Sequence, residues 1–439
     1  MTEFKKIAFV GLDGVPYSLL KRFFELQVMP GLNEIASNGT FVPMNSSLPP
    51  ISSVAWTSFM TGVDPGYHGI FGFTDVANDE IRLELPSFDD IKTPVIWNQY
   101  PQKRSIIINL PFTYPARPLN GILVTGFVSP IFERAIYPNT LVPWLKSRGY
   151  KIDTDNVRAR QNRAFLIDDL FFTLQKLEEV VFNFVKQPWD IFIFVITGTD
   201  RLNHFLFDAL KNESHPYHGD TVSYYRKVDS FVSRFFQRLD SGTRRVVLSD
   251  HGFTDLKIHV NLNYLLRILG YLSFKSELPR DISDINPKSL AFAMDPTRIY
   301  VNSRSRFKDG TLNESQASEL VTRLKNELSS FRVSELGALP SNLNSDSNDV
   351  LFTDVKTKDE IYKGPQSEFA PDLVVIPKSG YDVKASVNAK TMIHEDIFTG
   401  SHTYDDAFLI VGDKGMDTDL IRPEVSHVID LVPWKRPAF

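Results

Sequence analysis

Short apolar runs rich in Val, Ile and Phe recur along this 439-residue chain, set apart by long segments of helical periodicity. No other feature restricts the fold as much. The runs are Lys6–Val10, Ser105–Asn109, Ile122–Thr125, Ile191–Ile196, Val246–Leu248, Asp372–Ile376 and Phe408–Val411. A strand that is apolar along its whole length is buried on both faces, so the alternation predicts an α/β fold: a mostly parallel central sheet between two layers of helices. From Asn162 to Lys186 the positions Leu166, Leu170, Leu174, Leu177, Val181 and Phe184 step by four or three. Val222–Leu239 repeats the pattern with Tyr225, Val228, Val232, Phe235 and Phe236. Both segments read as covering helices, and the pairs Phe23-Phe24, Phe171-Phe172 and Phe235-Phe236 as core. Between His259 and Glu395 the texture changes: a polar stretch, Ser341–Asn348, divides a helix expected over Asn313–Leu328 from further short strands. The expected organisation is a core of residues 1–258 and 396–439 carrying an inserted smaller subdomain, 259–395.

Composition excludes several partners. Lys and Arg number 48 against 53 Asp and Glu, a net charge of -5, which gives no overall positive field for nucleic acid or an anionic membrane. No stretch reaches the ~18 to 20 apolar residues of a membrane span. Residues 1–6 carry no apolar signal region before the strand at Ile7, so the expected location is cytoplasmic. Cysteine is absent, so any metal must sit on His, Asp and Glu.

Four clusters of such residues adjoin the apolar runs. Asp13 follows the first run, Asp200 follows Ile191–Ile196, Asp250-His251 follow Val246–Leu248, and His402 lies just before Phe408. Ligands of open α/β sheets sit beyond the carboxyl ends of the strands, where the first three clusters converge, with His402 reaching them from a loop. Asp200 and His204, four apart at the start of an expected helix Leu202–Leu210, share one helical face. Taken singly, Asp200 also reads as a helix cap and Asp13-Gly14 as a plain turn. Together Asp13, Asp250 and His251 make one mixed carboxylate–imidazole set of the kind zinc accepts, and Asp200, His204 and His402 another. Between the first clusters, Pro49-Pro50-Ile51-Ser52-Ser53 opens a helix that Gly62 would close. Its serines read either as caps or as a hydroxyl nucleophile at a helix N-terminus, where backbone N–H groups favour a phosphate.

These segments resemble the type I phosphodiesterase and nucleotide pyrophosphatase branch of the alkaline phosphatase superfamily. The carrying motifs are Val10-Gly11-Leu12-Asp13-Gly14-Val15, Ser52 to Gly62 with Val63 to Ile70, Thr199 to His204, Ser249 to Phe253, and Gly400-Ser401-His402. Asn109 to Pro115, Arg298 to Asn302 and Ala370 to Val375 match as well. The resemblance implies an alkaline-phosphatase-like α/β/α core with two divalent ions, zinc as the usual pair and manganese or magnesium as alternatives. It implies that Asp13, Asp250 and His251 hold one ion, that Asp200, His204 and His402 hold the other, and that Ser52 is the nucleophile, with Ser53 as the competing register. Many relatives carry Thr at this place. The oxyanion-binding Asn that nucleotide pyrophosphatases place after the His-Gly-Ile segment is replaced here by Phe71-Gly72-Phe73. Asn109 is a substitute amide or a strand-end turn residue, Arg201 and Lys257 are phosphate contacts or surface charges, and His68 is structural.

The expected activity is a phosphoric ester hydrolase, a phosphodiesterase working through a phosphoseryl enzyme on a small-molecule substrate, with residues 259–395 roofing the site and selecting the alcohol. The two ions would lie about 3.5 to 4 Å apart and stabilise both apical oxygens. A phosphomonoesterase, phosphonate hydrolase or phosphoryl transferase on the same core, and a metal-binding pseudoenzyme, are the alternatives. A sulfatase is disfavoured, because the Cys/Ser-x-Pro-x-Arg context of that group is absent around Ser52.

Overall fold

The computed structural model describes residues 4–337, 349–413 and 424–436, so the polar stretch Ser341–Asn348 lies outside the described residues. The chain divides into two compact units, one of residues 1–63, 87–254 and 397–439 and the other of residues 64–86 and 255–396.

The first unit is built on an eight-stranded sheet in the order Thr40–Met44, Ala407–Val411, Thr243–Leu248, Lys6–Leu12, Ile191–Ile196, Ser105–Leu110, Gly121–Thr125, Ile136–Tyr137. The five strands from Thr243–Leu248 to Gly121–Thr125 in that order are parallel to one another. The pairs toward each edge are antiparallel. Burial on both faces explains the unbroken apolar runs. In Lys6–Leu12, Ile7 and Phe9 enter one core while Ala8, Val10 and Leu12 enter the other. Ile191–Ile196 alternates in the same way. A slip of one residue would exchange the two sets, so register is fixed by two cores at once.

One face is covered by the helices Arg163–Phe184, Gly198–Lys211 and His218–Phe236. The Asn162 side chain starts the first of them by accepting the Phe165 N–H at 2.9 Å. Phe194 stacks on Phe231 at 5.2 Å between ring centres and meets Phe235 edge-on at 4.9 Å. Such aromatic pairs contribute about 0.5–1.5 kcal/mol beyond their area. Phe172 departs from the expected core role: it is 43% exposed, on the outer side of its helix. The opposite face is covered by Ser52–Thr61 and the 3₁₀ segment Val425–Leu431.

The second unit holds a four-stranded sheet, Ala291–Met294, Arg298–Val301, Leu373–Pro377 and Phe352–Thr357, antiparallel throughout. The run read as Asp372–Ile376 therefore belongs here and not to the parallel sheet. Helix Glu314–Ser330, capped reciprocally by Asn313 and Gln316, buries Leu320, Leu324 and Leu328 in this unit's core.

Candidate active site

Three neighbouring parallel strands bring the first polar residues together. Lys6–Leu12 lies between Ile191–Ile196 and Thr243–Leu248. Their carboxyl ends place Asp13, the helix start at Gly198 and the Asp250-His251 pair on one rim. Gly14 turns the chain away at once with φ +64, and a Cβ there would lie 2.7 Å from the Phe253 ring. Its N–H donates to Asp250 Oδ1 at 3.0 Å, its carbonyl accepts from Asn203 Nδ2 at 2.8 Å, and Tyr225 fixes Asn203 by donating to Oδ1 at 2.8 Å. Thr199 Oγ1 donates to the Asp13 carbonyl at 2.6 Å.

Helix Gly198–Lys211 begins four residues before the expected Leu202, so Asp200 sits inside its first turn and not at its cap. Asp200 and His204 share a face, Oδ1 to Nε2 being 3.5 Å. His402 arrives on the strand Gly400–Thr403, its Nε2 2.9 Å from His204 Nε2 and 3.3 Å from Asp200 Oδ1. In the other group His251 Nε2 is 3.3 Å from Asp250 Oδ2 and 3.7 Å from Asp13 Oδ1. It is also 4.0 Å from Asp200 Oδ1, which ties the two groups into one centre. Within each group of three, the ligand atoms all lie within 4.8 Å of one another.

The donor set fits divalent cations. His251 Nδ1 lies 3.1 Å from the Gly252 carbonyl and His402 Nδ1 2.9 Å from the Pro50 carbonyl. A carbonyl only accepts, so in each ring Nδ1 carries a proton and Nε2 is the nitrogen turned toward the carboxylates, the arrangement that metal-binding imidazoles adopt. Asp250 Oδ2 is buried and receives no hydrogen bond among the described residues. Burial, with the Asp250 and Asp200 charges added, pushes the Asp13 carboxyl well above the usual range, and burial pushes Asp250 up to about 7. Burial likewise holds His251 well below the ordinary imidazole range. At Asp200 the upward push of burial is outweighed by His204, His402 and Arg201, which keep it low. Phe253 walls the centre, its ring 4.8 Å from His204 and 4.9 Å from His402, while His251 and His402 stack at 3.7 Å.

Ser52 opens the helix Ser52–Thr61, which is buried on every side, and Gly62 ends it with φ +74. Ser52 Oγ donates to Asp13 Oδ1 at 3.3 Å and lies 3.4 Å from His251 Nε2. Ile51, not a serine, occupies the cap position, so neither serine caps through its side chain. Ser53 Oγ is buried and bonds to neither group of three. Trp56, one turn beyond Ser52, donates from Nε1 to Asp13 Oδ2 at 3.2 Å. Sequence reading missed that brace, although i, i+4 spacing carries its signal.

The three residues assigned to substrate each make bonds within the protein. Asn109, at φ +58, donates from Nδ2 to the Ile152 carbonyl at 3.1 Å and accepts from the Tyr150 hydroxyl. Arg201 donates to Asp200 Oδ2 at 2.8 Å and grips Asp153 through Nε and Nη2. Lys257 belongs to the second unit, where its N–H donates to the Gly380 carbonyl at 2.8 Å. His68 is buried and accepts the Ile70 N–H on Nδ1 at 3.1 Å, a structural bond.

Solved structures show the same fold. Phosphonoacetate hydrolase from Sinorhizobium meliloti 1021 in complex with phosphonoacetate superposes with a TM-score of 0.64 at 14% identity, covering 98% of this chain and 97% of that one. Murine ectonucleotide pyrophosphatase / phosphodiesterase 5 superposes with a TM-score of 0.54 at 12% identity, covering 99% and 97%. Among curated proteins, GPI ethanolamine phosphate transferase 2 of Kluyveromyces lactis is 30% identical over 97 residues. That match takes in 20% of this chain and only 11% of the relative's length. Residues 7–405 match the type I phosphodiesterase / nucleotide pyrophosphatase family, so the chain belongs to that family.

Proposed function

We propose that the chain is a two-metal phosphodiesterase acting on a small-molecule phosphoester through a phosphoseryl intermediate. The observation that carries this reading is Ser52 Oγ, 3.3 Å from Asp13 and 3.4 Å from His251, beside two converging carboxylate–imidazole sets. Asp13, Asp250 and His251 would hold one ion and Asp200, His204 and His402 the other. Zinc suits the mixed donors best, with manganese or magnesium as alternatives. Divalent ions there supply Lewis acidity and neutralise the buried carboxylates.

Ser52 Oγ attacks phosphorus in line. Its proton passes to Asp13 Oδ1, the bond from phosphorus to the leaving alcohol oxygen breaks, that oxygen takes up a proton from solvent water, and a seryl phosphoester forms. The helix start places backbone N–H groups, which lack intrahelical acceptors, beside the phosphoryl oxygens. Water then attacks phosphorus from the side the alcohol left and loses one proton to solvent, and the Ser52 oxygen departs with the proton held at Asp13. Trp56 and Thr199 hold Asp13 through both steps, and Asn203 holds the Gly14 turn.

Zinc-reconstituted protein should hold two ions per chain by elemental analysis, hydrolyse aryl phosphodiesters and lose that activity to chelators. Metal-free protein after reconstitution overturns the two-metal reading. Turnover confined to phosphomonoesters or to phosphonates would replace the diester reading with that class. No turnover of any class would leave a pseudoenzyme.

A further inference from the structure

Arg201 and Asn109 both engage protein, and the two engagements are connected. Arg201 is 13% exposed at its side chain and spends its guanidinium on two carboxylates. Nη1 donates to Asp200 Oδ2 at 2.8 Å, while Nε and Nη2 donate to Asp153 at 3.2 and 2.8 Å. Its charge lies over the Phe127 ring, 4.3 Å from the ring centre. A fork fixed on this many sides is a rigid, directional partner, unlike a mobile lysine. Of the two oxygens of Asp200, Oδ2 is thereby occupied, and Oδ1 alone faces His204 and His402.

Asp153 is placed by its own loop. Asn109 holds Ile152 through its carbonyl and Tyr150 through its hydroxyl, and Lys151 is locked onto Asp169 of helix Arg163–Phe184 at 2.6 and 2.7 Å. A continuous chain therefore runs from the end of strand Ser105–Leu110 through residues 150–153 to Arg201 and Asp200. We propose that Arg201, held by Asp153, is a positioning residue that fixes Asp200 as a one-oxygen ligand of the second metal. This inference rests on the two-metal reading above. It turns the role expected for Arg201 from substrate contact into ligand alignment. Outer partners of metal ligands typically account for 10–100-fold in metal affinity.

The test is a competitive chelator titration of zinc-loaded full-length protein, which resolves the two ions separately, alongside thermal unfolding and kinetics. Arg201→Met and Asp153→Asn should each weaken one ion by about 10–100-fold and leave the other unchanged. Arg201→Lys should restore part of the loss. The double variant should be no worse than Arg201→Met alone, because both residues act through one contact. If Arg201→Met does not fold, Asp153→Asn decides, since it keeps shape and volume. A second ion bound as tightly as in the wild type, or more tightly, overturns the inference. So does a raised KM with both affinities intact, which would make Arg201 a phosphate contact. Wild-type protein that binds no metal overturns the underlying reading instead.

Discussion

Ser52 and Ser53 differ by one position and about 100° of helix, and their surroundings separate them sharply. Ser52 Oγ touches Asp13 and His251, whereas Ser53 Oγ is buried without a hydrogen-bond partner among the described residues. Ser52→Ala should abolish nearly all turnover with metal content and thermal unfolding almost unchanged, while Ser53→Ala should keep a measurable rate. The reverse pattern in steady-state assays would move the nucleophile by one residue. His68 makes a second prediction at this scale. Burial pushes its imidazole down to about 3, so the folded state keeps it neutral while the unfolded chain protonates it near 6.5. Between those values the unfolded state binds more protons, so the contribution is fully present above pH 6.5 and is lost progressively down to about 3. The loss is on the order of 1.4 kcal/mol per pH unit. Urea midpoints of wild type and His68→Gln, taken from pH 7 to pH 5, should converge at the acid end. Parallel curves would remove His68 from the acid response.

The strand-end turn is the element on which the centre depends. Gly14 combines φ +64 with a Cβ position 2.7 Å from Phe253 and 3.1 Å from Asp200 Oδ1, while its N–H holds Asp250. Gly14→Ala should cost about 1–2 kcal/mol from the left-handed backbone alone. It should also lower zinc affinity by displacing Asp250, and equal chelator titrations of variant and wild type would refute that coupling. The parallel strands were legible in the sequence because burial on both faces writes an unbroken apolar run, and the long helices because their periodicity is long. The edge strands Thr40–Met44 and Ile136–Tyr137 were not: one contains Pro43 and the other has two residues. Nor does an apolar run say which sheet it joins, so Asp372–Ile376 reads as a central strand although Leu373–Pro377 pairs antiparallel in the second unit's sheet. The metal-binding candidates were legible as strand-end and i, i+4 placements. Asp153 was not, because its tie to Arg201 spans 48 residues and leaves no local pattern.

At the scale of the whole molecule, the charge available to a substrate decides which ester is favoured. A monoester dianion carries one more negative charge than a diester, and enzymes that favour it add a cation aimed at oxygens the metals do not hold. The chain has a net charge of -5 and no Arg or Lys between Thr40 and Ile81, the stretch that carries Ser52. The Arg201 guanidinium, expected as the phosphate contact, is divided between Asp200 and Asp153. Arg163, another cation of the first unit, is spent on the Phe205 and Ile397 carbonyls at 2.7 and 2.9 Å. Pro50, whose carbonyl orients His402, and Ile51 precede Ser52 and add no charge. These residues suit an esterified oxygen better than a second anionic one. For matched aryl substrates, kcat/KM should therefore be higher for the diester than for the monoester. On the alignment role proposed for Arg201, Arg201→Met should leave that ratio nearly constant even as it weakens metal binding. A wild-type ratio below one would reject the diester preference. A ratio that shifts toward the diester in Arg201→Met would show that Arg201 turns to the substrate during the reaction.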